Sequence, residues 1–415
     1  MPEHMPIMIG GDAIADFIGF CKKNRHQKLF LIADENTYEA LGKKVFDAAI
    51  AAGLDVIRCV LNPDGLHTDG VSILRALNAY DAQPRLFVAV GSGTITDITR
   101  FASHRSRNEF VSFPTAASVD AYTPKNAAVT IGDLKGSVYC HSPIAIFTDL
   151  QTIIDSPKFL TASGFGDLVS KNTAPADWKL THLLWDAPFD EDIYSRAIHA
   201  GQNVIKVVDG IRKGEPEELE VMMKGQFEGG FCMADFGNSS PASGSEHHIS
   251  HIWEMMFHMD HKEGLFHGHA VGVAAIISAG WYQQLRSLSR EKASAILDQT
   301  TIPDREIQIQ ALQNALPQIA DEVIASDPIY LQLADAGKWE TIKARIFEKW
   351  EEIQEVAQPI PAPDDLRIWI ELLGGPTTAE ELGVSEAQLK IAKDFGLYLR
   401  ERFSINILRK LLNWT

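Results

Sequence analysis

The fold of the first part of the chain is set by one stretch, Leu86-Phe-Val-Ala-Val-Gly-Ser-Gly-Thr-Ile-Thr-Asp97. It contains an apolar strand and a turn with two glycines, and a helical run follows from Ile98. This succession of strand, turn and helix is the repeating unit of a parallel sheet covered by helices. Gly91 and Gly93 would let the backbone approach a pyrophosphate, with helix N–H groups facing it. The third glycine of the usual dinucleotide fingerprint is absent, so the stretch predicts either a nucleotide-binding turn or an ordinary strand-to-helix connection.

The same alternation of short apolar runs and helical periodicity continues on both sides and predicts a parallel sheet covered by helices. Strands are expected at 28–33, 55–61, 85–90 and 109–113, and helices at 37–52 and 71–80. Residues 133–149 are expected to form a hairpin or paired strands that extend the sheet, through the motifs Ser137-Val-Tyr-Cys140 and Pro143-Ile-Ala-Ile-Phe147.

Beyond residue 156 the pattern changes to long helical periodicity. We expect an α/β domain over 1–156 and an all-helical domain over 157–415, and the motifs and the resemblance given below assign nucleotide binding to the first and metal and substrate binding to the second. The length of 415 residues supports two domains, because single cores rarely grow beyond about 300 residues. Asp155-Ser156-Pro157 predicts a helix start with Ser or Asp as the cap. The proline-rich segment 358–363 predicts a loop between helices.

Composition and charge exclude some classes of function. A formal net charge of −17 leaves no basic surface for nucleic acid, although a metal ion and helix N-termini can still attract a small anion. The N-terminal residues 1–6 lack the features of a signal peptide, and no run of 18 apolar residues occurs. We therefore expect a cytoplasmic protein without membrane insertion. Its cysteines are expected to be buried, reduced thiols: Cys21, Cys59, Cys140 and Cys232.

Histidines are concentrated in one short segment, with seven of the fourteen between His247 and His269. Neutral imidazole is a common ligand of zinc, nickel and iron, and His247 and His251 are four residues apart, which places both rings on one helix face. His267 is the natural third partner, because a glycine-containing stretch before it lets the chain turn. The cluster predicts metal or substrate chemistry, and solvated histidines on a surface helix are the alternative.

Carboxylates fall at positions where a ligand would meet them. Asp34 ends the first strand and predicts either a ribose contact or a cap for residues 35–37. Asp120 follows a later strand, in a stretch whose small hydroxyl residues suit either a cofactor contact or a capped turn, and it could anchor a substrate hydroxyl. Asp167 could complete a His-His-Asp metal set, with Lys171 one turn on facing an anion. The alternative for Asp167 and Lys171 is that both are ordinary groups on the surface of a helix.

Taken together, these segments resemble the sn-glycerol-1-phosphate dehydrogenase family, within the superfamily of iron-containing alcohol dehydrogenases, glycerol dehydrogenases and dehydroquinate synthases. The segments are Gly91-Ser-Gly-Thr-Ile-Thr-Asp97, Pro114-Thr-Ala-Ala-Ser-Val-Asp120, Gly164-Phe-Gly-Asp167, Pro241-Ala-Ser-Gly-Ser-Glu-His-His-Ile-Ser-His251 and His267-Gly268. The resemblance runs from about residue 28 to 280. It implies a dehydroquinate synthase-like fold, in which a Rossmann-like α/β domain precedes an all-α metal-binding domain.

The resemblance also implies roles for single residues. Asp167, His247 and His267 look like the metal ligands. His251 resembles the histidine that contacts the substrate, and Asp120 the aspartate beside it. The implied nucleotide contacts are Gly91, Ser92, Gly93, Thr94 and Asp97 for the pyrophosphate, Thr115, Ala116, Ala117 and Ser118 for a second segment, and Asp34 for the ribose. No role is implied for His248, His258, His261 and His269.

The implied activity is metal-dependent, NAD(P)-linked interconversion of dihydroxyacetone phosphate and sn-glycerol 1-phosphate by a homodimer. Zinc and nickel both suit the donor set. Asp34 favours NAD over NADP, because its charge would repel a 2′-phosphate. Lys125 and Lys171 are candidate contacts for the substrate phosphate. The alternatives are a glycerol dehydrogenase, a sugar-phosphate cyclase of the dehydroquinate synthase type, and a noncatalytic metal-binding protein.

Overall fold

A computed structural model describes residues 5–131 and 134–414. Its strands are β1 (Ile7–Gly10), β2 (Lys28–Asp34), β3 (Asp55–Leu61), β4 (Leu86–Gly91), β5 (Phe110–Pro114), β6 (Asn126–Ile131), β7 (Leu134–Tyr139) and β8 (Ala145–Asp149). Six of them form one sheet in the order β1-β8-β5-β4-β2-β3, and every pair in it is parallel. The four predicted strands are confirmed. The four residues of β1 were missed, because so short a run carries no readable periodicity.

Helices cover both faces of this sheet, as predicted. They are α1 (Ala13–Lys23), α2 (Glu35–Thr37), α3 (Lys43–Ala51), α4 (Gly70–Ala79) and α5 (Gly93–Arg105). The central strand β4 is buried along its whole length, which explains its unbroken apolar sequence. The predicted helix at 37–52 is interrupted by a π-helical turn at Tyr38–Gly42. The helix α5 begins at Gly93 and not at Ile98, so the second glycine of the turn is already helical.

The prediction for residues 133–149 is wrong in part. The strand β7 pairs antiparallel with β6 in a separate two-stranded sheet, and only β8 extends the main sheet, between β1 and β5. In β7, Gly136 to Tyr139 alternate between partly buried and exposed, whereas Ala145 to Thr148 of β8 are buried on both faces. The two motifs therefore belong to different sheets. Asp133, where the predicted hairpin began, and residues 1–4 lie outside the described residues.

The second part of the chain is helical, as predicted. Its helices are α6 (Leu150–Asp155), α7 (Lys158–Val169), α8 (Ala174–Trp185), α9 (Glu191–Lys206), α10 (Val208–Lys213), α11 (Pro216–Phe236), α12 (Ser245–Met259), α13 (His267–Ser287), α14 (Arg290–Leu297), α15 (Arg305–Ala315), α16 (Ala320–Ala325), α17 (Ile329–Gln332), α18 (Lys338–Glu348), α19 (Trp350–Ala357), α20 (Pro363–Leu372), α21 (Glu386–Phe395) and α22 (Ile405–Leu411). Short 3-10 turns occur at Ser170–Asn172 and Gly396–Tyr398.

Two local predictions in this part can be compared with the structure. The helix α7 does begin next to Pro157, but no side chain caps it, because the Ser156 hydroxyl instead donates backwards to the carbonyl of Ile153 (2.8 Å). The predicted proline-rich loop is confirmed, since residues 358–362 connect α19 to α20 and Pro363 starts the new helix. All four cysteines are buried and unpaired. Among the described residues, none of the helices has both the length and the apolar character needed to cross a bilayer.

Glycines allow the helical part to pack closely against the sheet. A Cβ at Gly164 on α7 would overlap the carbonyl oxygen of Ala117, which lies in the segment after β5. A Cβ at Gly166 would overlap the backbone of Gly268 on α13. These contacts bring α7 against both the carboxyl edge of the sheet and the helix that begins with His267.

Candidate active site

A cavity of about 590 Å³ is lined by residues from both parts of the chain. The α/β part contributes the start of α5, the segment after β5 and the β6–β7 hairpin, and the helical part contributes α12, the start of α13 and the loop before α12. Residues that the sequence singled out and that line it are Gly93, Thr94, Asp97, Asp120, Lys125, His247, His251 and His267. The carboxyl edge of a parallel sheet is where open α/β folds bind their ligands.

Three of the predicted ligands converge at the wall of this cavity, which His247 and His267 line and behind which Asp167 is fully buried. Asp167 on α7, His247 on α12 and His267 at the start of α13 each place a ligand atom within 4.8 Å of the others. The Nε2 atom of His247 lies 3.6 Å from Oδ1 of Asp167. Asp167 is fully buried and His247 nearly so, which rules out the alternative of solvated surface groups for these two residues.

Two carboxylates orient the histidine rings. The Nδ1 atom of His247 lies 2.8 Å from Oε1 of Glu246, and the Nδ1 atom of His267 lies 2.7 Å from Oε1 of Glu254. A carboxylate acceptor selects the tautomer that carries the proton on Nδ1 and leaves the Nε2 lone pair free. With one carboxylate oxygen from Asp167, the donor set fits a divalent cation such as zinc or nickel.

The sequence analysis missed both orienting carboxylates. Glu246 precedes His247 directly and Glu254 lies one turn beyond His251, so their spacing was visible, but neither position shows which ring a carboxylate will face. Glu246 is itself held, because it accepts hydrogen bonds from the backbone N–H of Gly244 (2.7 Å) and the hydroxyl of Thr173 (2.9 Å).

His251 lies one turn from His247 and lines the same cavity. Its ring centroid is 5.8 Å from that of His247 and 5.5 Å from that of His267. His251, Glu254 and His267 form a second possible donor group. The group with Asp167 is better suited to a metal ion, because in the second group Glu254 already accepts the hydrogen bond of His267.

Lys171 does not face outward as an ordinary helix-surface residue would. Its ammonium is fully buried, 2.9 Å from Oδ2 of Asp120 and 3.2 Å from Oδ1 of Asp167. Burial alone would lower the pKa of Lys171, but the two carboxylates raise it above its ordinary value. The charge of Lys171 is therefore compensated inside the protein, and of the two lysines predicted to meet a phosphate only Lys125 lines the cavity.

Asp120 and Asp167 are linked directly, since the backbone N–H of Asp120 donates to Oδ2 of Asp167 (2.9 Å). Burial would raise the pKa of the Asp167 carboxyl, but Lys171 and the histidines hold it well below its ordinary value. Burial and the charge of Asp167 raise the pKa of Asp120. The pKa values of the two aspartates are therefore shifted in opposite directions.

The glycine turn after β4 is closely packed. A Cβ on Gly91 would lie 2.5 Å from Cβ of Ile95, and a Cβ on Gly93 would lie 2.8 Å from Cγ2 of Val119. Both positions therefore require glycine for close backbone approach. Asp97 is ion-paired with Arg100 and accepts from the N–H of Ala128 (3.0 Å), so its carboxylate connects α5 to β6.

The segment Thr115 to Ser118 is buried, and it contacts the same turn through the hydrogen bond from the N–H of Thr115 to the carbonyl of Gly91 (3.3 Å). Asp34 caps the helix that follows it, since its Oδ1 accepts from the N–H of Thr37 (2.9 Å). The predicted cap is therefore present, and it uses one of the two carboxylate oxygens. In the pairing of β2 with β4, Ile32 lies opposite Ala89. Asp34 and Gly91 each follow by two residues, so both lie at the same edge of the sheet. Asp34 does not line the cavity described above.

Comparison with known proteins identifies the family. The sequence model of the iron-containing alcohol dehydrogenases matches residues 8–157. The glycerol-1-phosphate dehydrogenase [NAD(P)+] of Halalkalibacterium halodurans is 33% identical, over 64% of this chain and 68% of the relative, and that of Bacillus velezensis is 31% identical over 67% and 72%. This chain belongs to the glycerol-1-phosphate dehydrogenase family. The relative from Geobacillus stearothermophilus, 29% identical, extends the match to 91% of this chain and 85% of its own length.

Solved structures confirm the fold of this family member. A probable glycerol dehydrogenase from Sinorhizobium meliloti has a TM-score of 0.63 at 13% identity, covering 98% of this chain and 95% of that one. The maleylacetate reductase of Agrobacterium tumefaciens has a TM-score of 0.60 at 14% identity, covering 100% and 96%. The predicted fold class, an α/β domain followed by a helical domain, is thereby confirmed.

In this family member the C-terminal region, for which the sequence offered no motif, reaches the site. The buried carboxylate of Asp177 accepts hydrogen bonds from the backbone N–H of Ser245, at the start of α12, and of Ile405, at the start of α22 (both 2.6 Å). Burial, with the nearby Glu246, raises the pKa of Asp177 to about 7. The start of the helix that carries His247 is therefore anchored to the C-terminal region.

Proposed function

We propose that this chain is an NAD(P)-dependent glycerol-1-phosphate dehydrogenase that interconverts dihydroxyacetone phosphate and sn-glycerol 1-phosphate with one divalent metal ion. The observation that carries the proposal is the donor set of Asp167, His247 and His267, whose two histidines line the same cavity as Gly93 and Thr94 at the start of α5. Each histidine of the set is oriented by its own carboxylate. Family membership supports the substrate and the cofactor.

In this proposal Asp167, His247 and His267 would hold a zinc or nickel ion, since the hydrogen bonds of both Nδ1 atoms leave the Nε2 atoms of the two histidines available. When bound, such an ion acts as a Lewis acid that stabilises negative charge on the substrate oxygen during hydride transfer to or from the nicotinamide. Glu246 and Glu254 keep the two rings in the tautomer that this requires.

Two further residues act on the substrate. His251 lines the cavity beside both histidine ligands and orients the substrate or relays its hydroxyl proton. Asp120 lies beside the substrate, and Lys171 compensates its charge.

The nucleotide is assigned to the α/β part. Gly91, Ser92, Gly93 and Thr94 hold the pyrophosphate at the start of α5, where the helix N-terminus favours an anion. Asp97, which lines the cavity, belongs to the same pyrophosphate site. The segment from Thr115 to Ser118 is the second nucleotide segment, and the N–H of Thr115 donates to the carbonyl of Gly91. Asp34 contacts the ribose and favours NAD over NADP by repelling a 2′-phosphate.

The proposal also includes the domain boundary, the oligomeric state and the cellular compartment. The α/β domain ends near residue 156, where β8 and α6 give way to α7. The enzyme is a homodimer, to be checked by sedimentation equilibrium. Its four unpaired thiols support a reducing compartment such as the cytoplasm.

The experiment that tests the function is oxidation of NADH and NADPH by purified protein with dihydroxyacetone phosphate, before chelation, after chelation, and after addition of Ni²⁺ or Zn²⁺. We expect metal-restored turnover with dihydroxyacetone phosphate and far less with dihydroxyacetone. Equal turnover of both ketones would instead indicate a glycerol dehydrogenase. Phosphate release from a sugar phosphate without net change in nicotinamide absorbance would indicate a cyclase, and metal binding without any turnover a noncatalytic protein.

A further inference from the structure

Arg400 is a cavity residue that neither the sequence motifs nor the proposed chemistry uses. It follows the 3-10 turn Gly396–Tyr398, which packs on α12, where a Cβ on Gly396 would lie 3.6 Å from the backbone of His248. This packing brings Arg400 to the wall of the cavity that His247 and His251 also line. A residue far along the chain thus lies in the substrate cavity.

The charge of Arg400 is not compensated by the protein. Within residues 5–131 and 134–414 no carboxylate forms an ion pair with it, and the one hydrogen bond it makes there is donated to the carbonyl of Leu399 (3.2 Å). It is partly buried, and burial lowers its pKa. A partly buried arginine without a counter-charge is energetically costly, so its guanidinium has capacity for an anionic ligand.

The other cations at this cavity differ from Arg400. Lys262 is ion-paired with Asp260 (3.0 Å), and Lys171 lies behind the wall with two carboxylates. Lys125 is exposed, so water solvates its charge and no partner is needed. Arg400 alone combines an uncompensated charge with partial burial among these four.

Polar groups of one loop line the same cavity as Arg400. Asn238, Ser239 and Ser243, in the loop between α11 and α12, line the cavity. Arg402 fixes this loop, since its buried guanidinium donates to the carbonyl of Ser243 and to the hydroxyl oxygen of Ser239 (2.8 Å). Because the Ser239 oxygen accepts from Arg402, its own proton is free to be donated to a ligand.

We propose that Arg400, together with Asn238 and Ser239, forms the subsite for the phosphate group of the substrate. The planar guanidinium binds two phosphate oxygens at once, and the hydroxyl and amide add neutral donors. This inference rests on the proposed function and deepens it, because it names the residue that separates a phosphorylated ketone from its unphosphorylated analogue.

The test compares the wild-type holoenzyme with Arg400→Met and Arg400→Lys. Loss of charge-assisted hydrogen bonds is expected to raise the KM for dihydroxyacetone phosphate about 10- to 100-fold in Arg400→Met, with partial recovery in Arg400→Lys. The KM for NADH, the metal content and the turnover of unphosphorylated dihydroxyacetone should stay within about two-fold, as expected for a group that touches only the phosphate.

Lys262→Met is the matched control, since it removes a cation of the same cavity that Asp260 already neutralises, and its KM for dihydroxyacetone phosphate should change less than about three-fold. The inference is overturned if Arg400→Met keeps the wild-type KM, or if Lys125→Met produces the loss and Arg400→Met does not. It is also overturned if Arg400→Met raises the KM for both ketones equally.

A binding measurement separates failure of this inference from failure of the proposed function. If the wild type does not reduce dihydroxyacetone phosphate with any metal, the proposed function fails. Titration of inorganic phosphate into metal-loaded wild type and Arg400→Met then still tests the subsite. Binding at least about ten-fold tighter to the wild type supports the anion site, and equal binding overturns it.

Discussion

The two walls of the cavity are built in opposite ways. The proposed nucleotide wall is the turn after β4, where Gly91 and Gly93 are packed so closely that a side chain would not fit. The proposed metal wall consists of the side chains of Asp167, His247 and His267 on α7, α12 and α13, each of which contacts a second charged residue. A site made of backbone groups is therefore expected to be disrupted by substitutions that add a side chain. A site made of side chains is expected to be disrupted by substitutions that remove one.

The largest expected effect comes from removing a ligand of the metal wall. His247→Ala should abolish metal binding and lower turnover of dihydroxyacetone phosphate by at least about 10³-fold, because two remaining donors do not hold the ion. Metal analysis and turnover on the same preparation measure both. His199→Ala, at an exposed histidine of α9, is the control. Full metal content with normal turnover in His247→Ala would contradict the ligand assignment.

The next effect tests the point where the two walls touch. Gly164→Ala should destabilise the protein by about 3 kcal/mol, because the new methyl group overlaps the Ala117 carbonyl and the Gln226 amide. Urea denaturation measures the free energy of unfolding. Gly280→Ala on α13 is the control, since its Cβ meets no atom within 4 Å, and it should be neutral or stabilising by up to about 1 kcal/mol. Equal stability of the two variants would show that this contact is not needed.

Removal of an orienting carboxylate should have an intermediate effect on the metal wall alone. Glu254→Gln weakens the hydrogen bond that selects the tautomer of His267, so the metal dissociation constant should rise about 10- to 100-fold. Competition with a chelator measures this constant, and the KM for NADH should stay unchanged. Glu263→Gln, at an exposed position nearby, should bind metal as the wild type does. An unchanged constant in Glu254→Gln would remove the carboxylate from the site.

A matching change in the nucleotide wall should show the reverse pattern. Gly93→Ala places a methyl group 2.8 Å from Cγ2 of Val119 and should raise the KM for NADH about ten-fold while metal content stays normal. Gly70→Ala, where a Cβ meets nothing within 4 Å, serves as the control at another helix start. Loss of metal from Gly93→Ala would show that the two walls are not separable.

The smallest effect concerns stability against acid in the α/β part. Burial, aided by the nearby His104, lowers the pKa of His141 from 6.5 to about 4. The unfolded chain therefore binds the proton first, so this stabilisation is present above pH 6.5 and is lost as the pH falls towards 4. The variant His141→Gln can keep the hydrogen bond to the Ser103 hydroxyl (2.9 Å). Its free energy of unfolding should fall by about 1 kcal/mol less than that of the wild type between pH 6.5 and pH 4. An identical pH slope in denaturation experiments would contradict this.

Much of the fold was predictable from local patterns. The central strands are buried on both faces and so carry unbroken apolar runs, which the sequence analysis identified. The separate β6–β7 sheet was not predicted, because partner choice between short strands depends on where distant helices lie. Asp34 shows both cases. Its capping bond joins residues three apart and could be predicted from the sequence, whereas its position beside Gly91 depends on the pairing of β2 with β4.

The sequence by itself determined the alternation of strands and helices, the glycine turn and the histidines available for a metal site. Only the tertiary structure decided that Glu246 and Glu254 orient two of those histidines, that Lys171 is neutralised inside the protein, and that Arg400 is left facing the cavity. The physical reason is the separation along the chain of the residues that interact. Periodicity and turns depend on neighbours along the chain, whereas compensation of charge in a buried site depends on which distant side chains packing brings within a few ångströms.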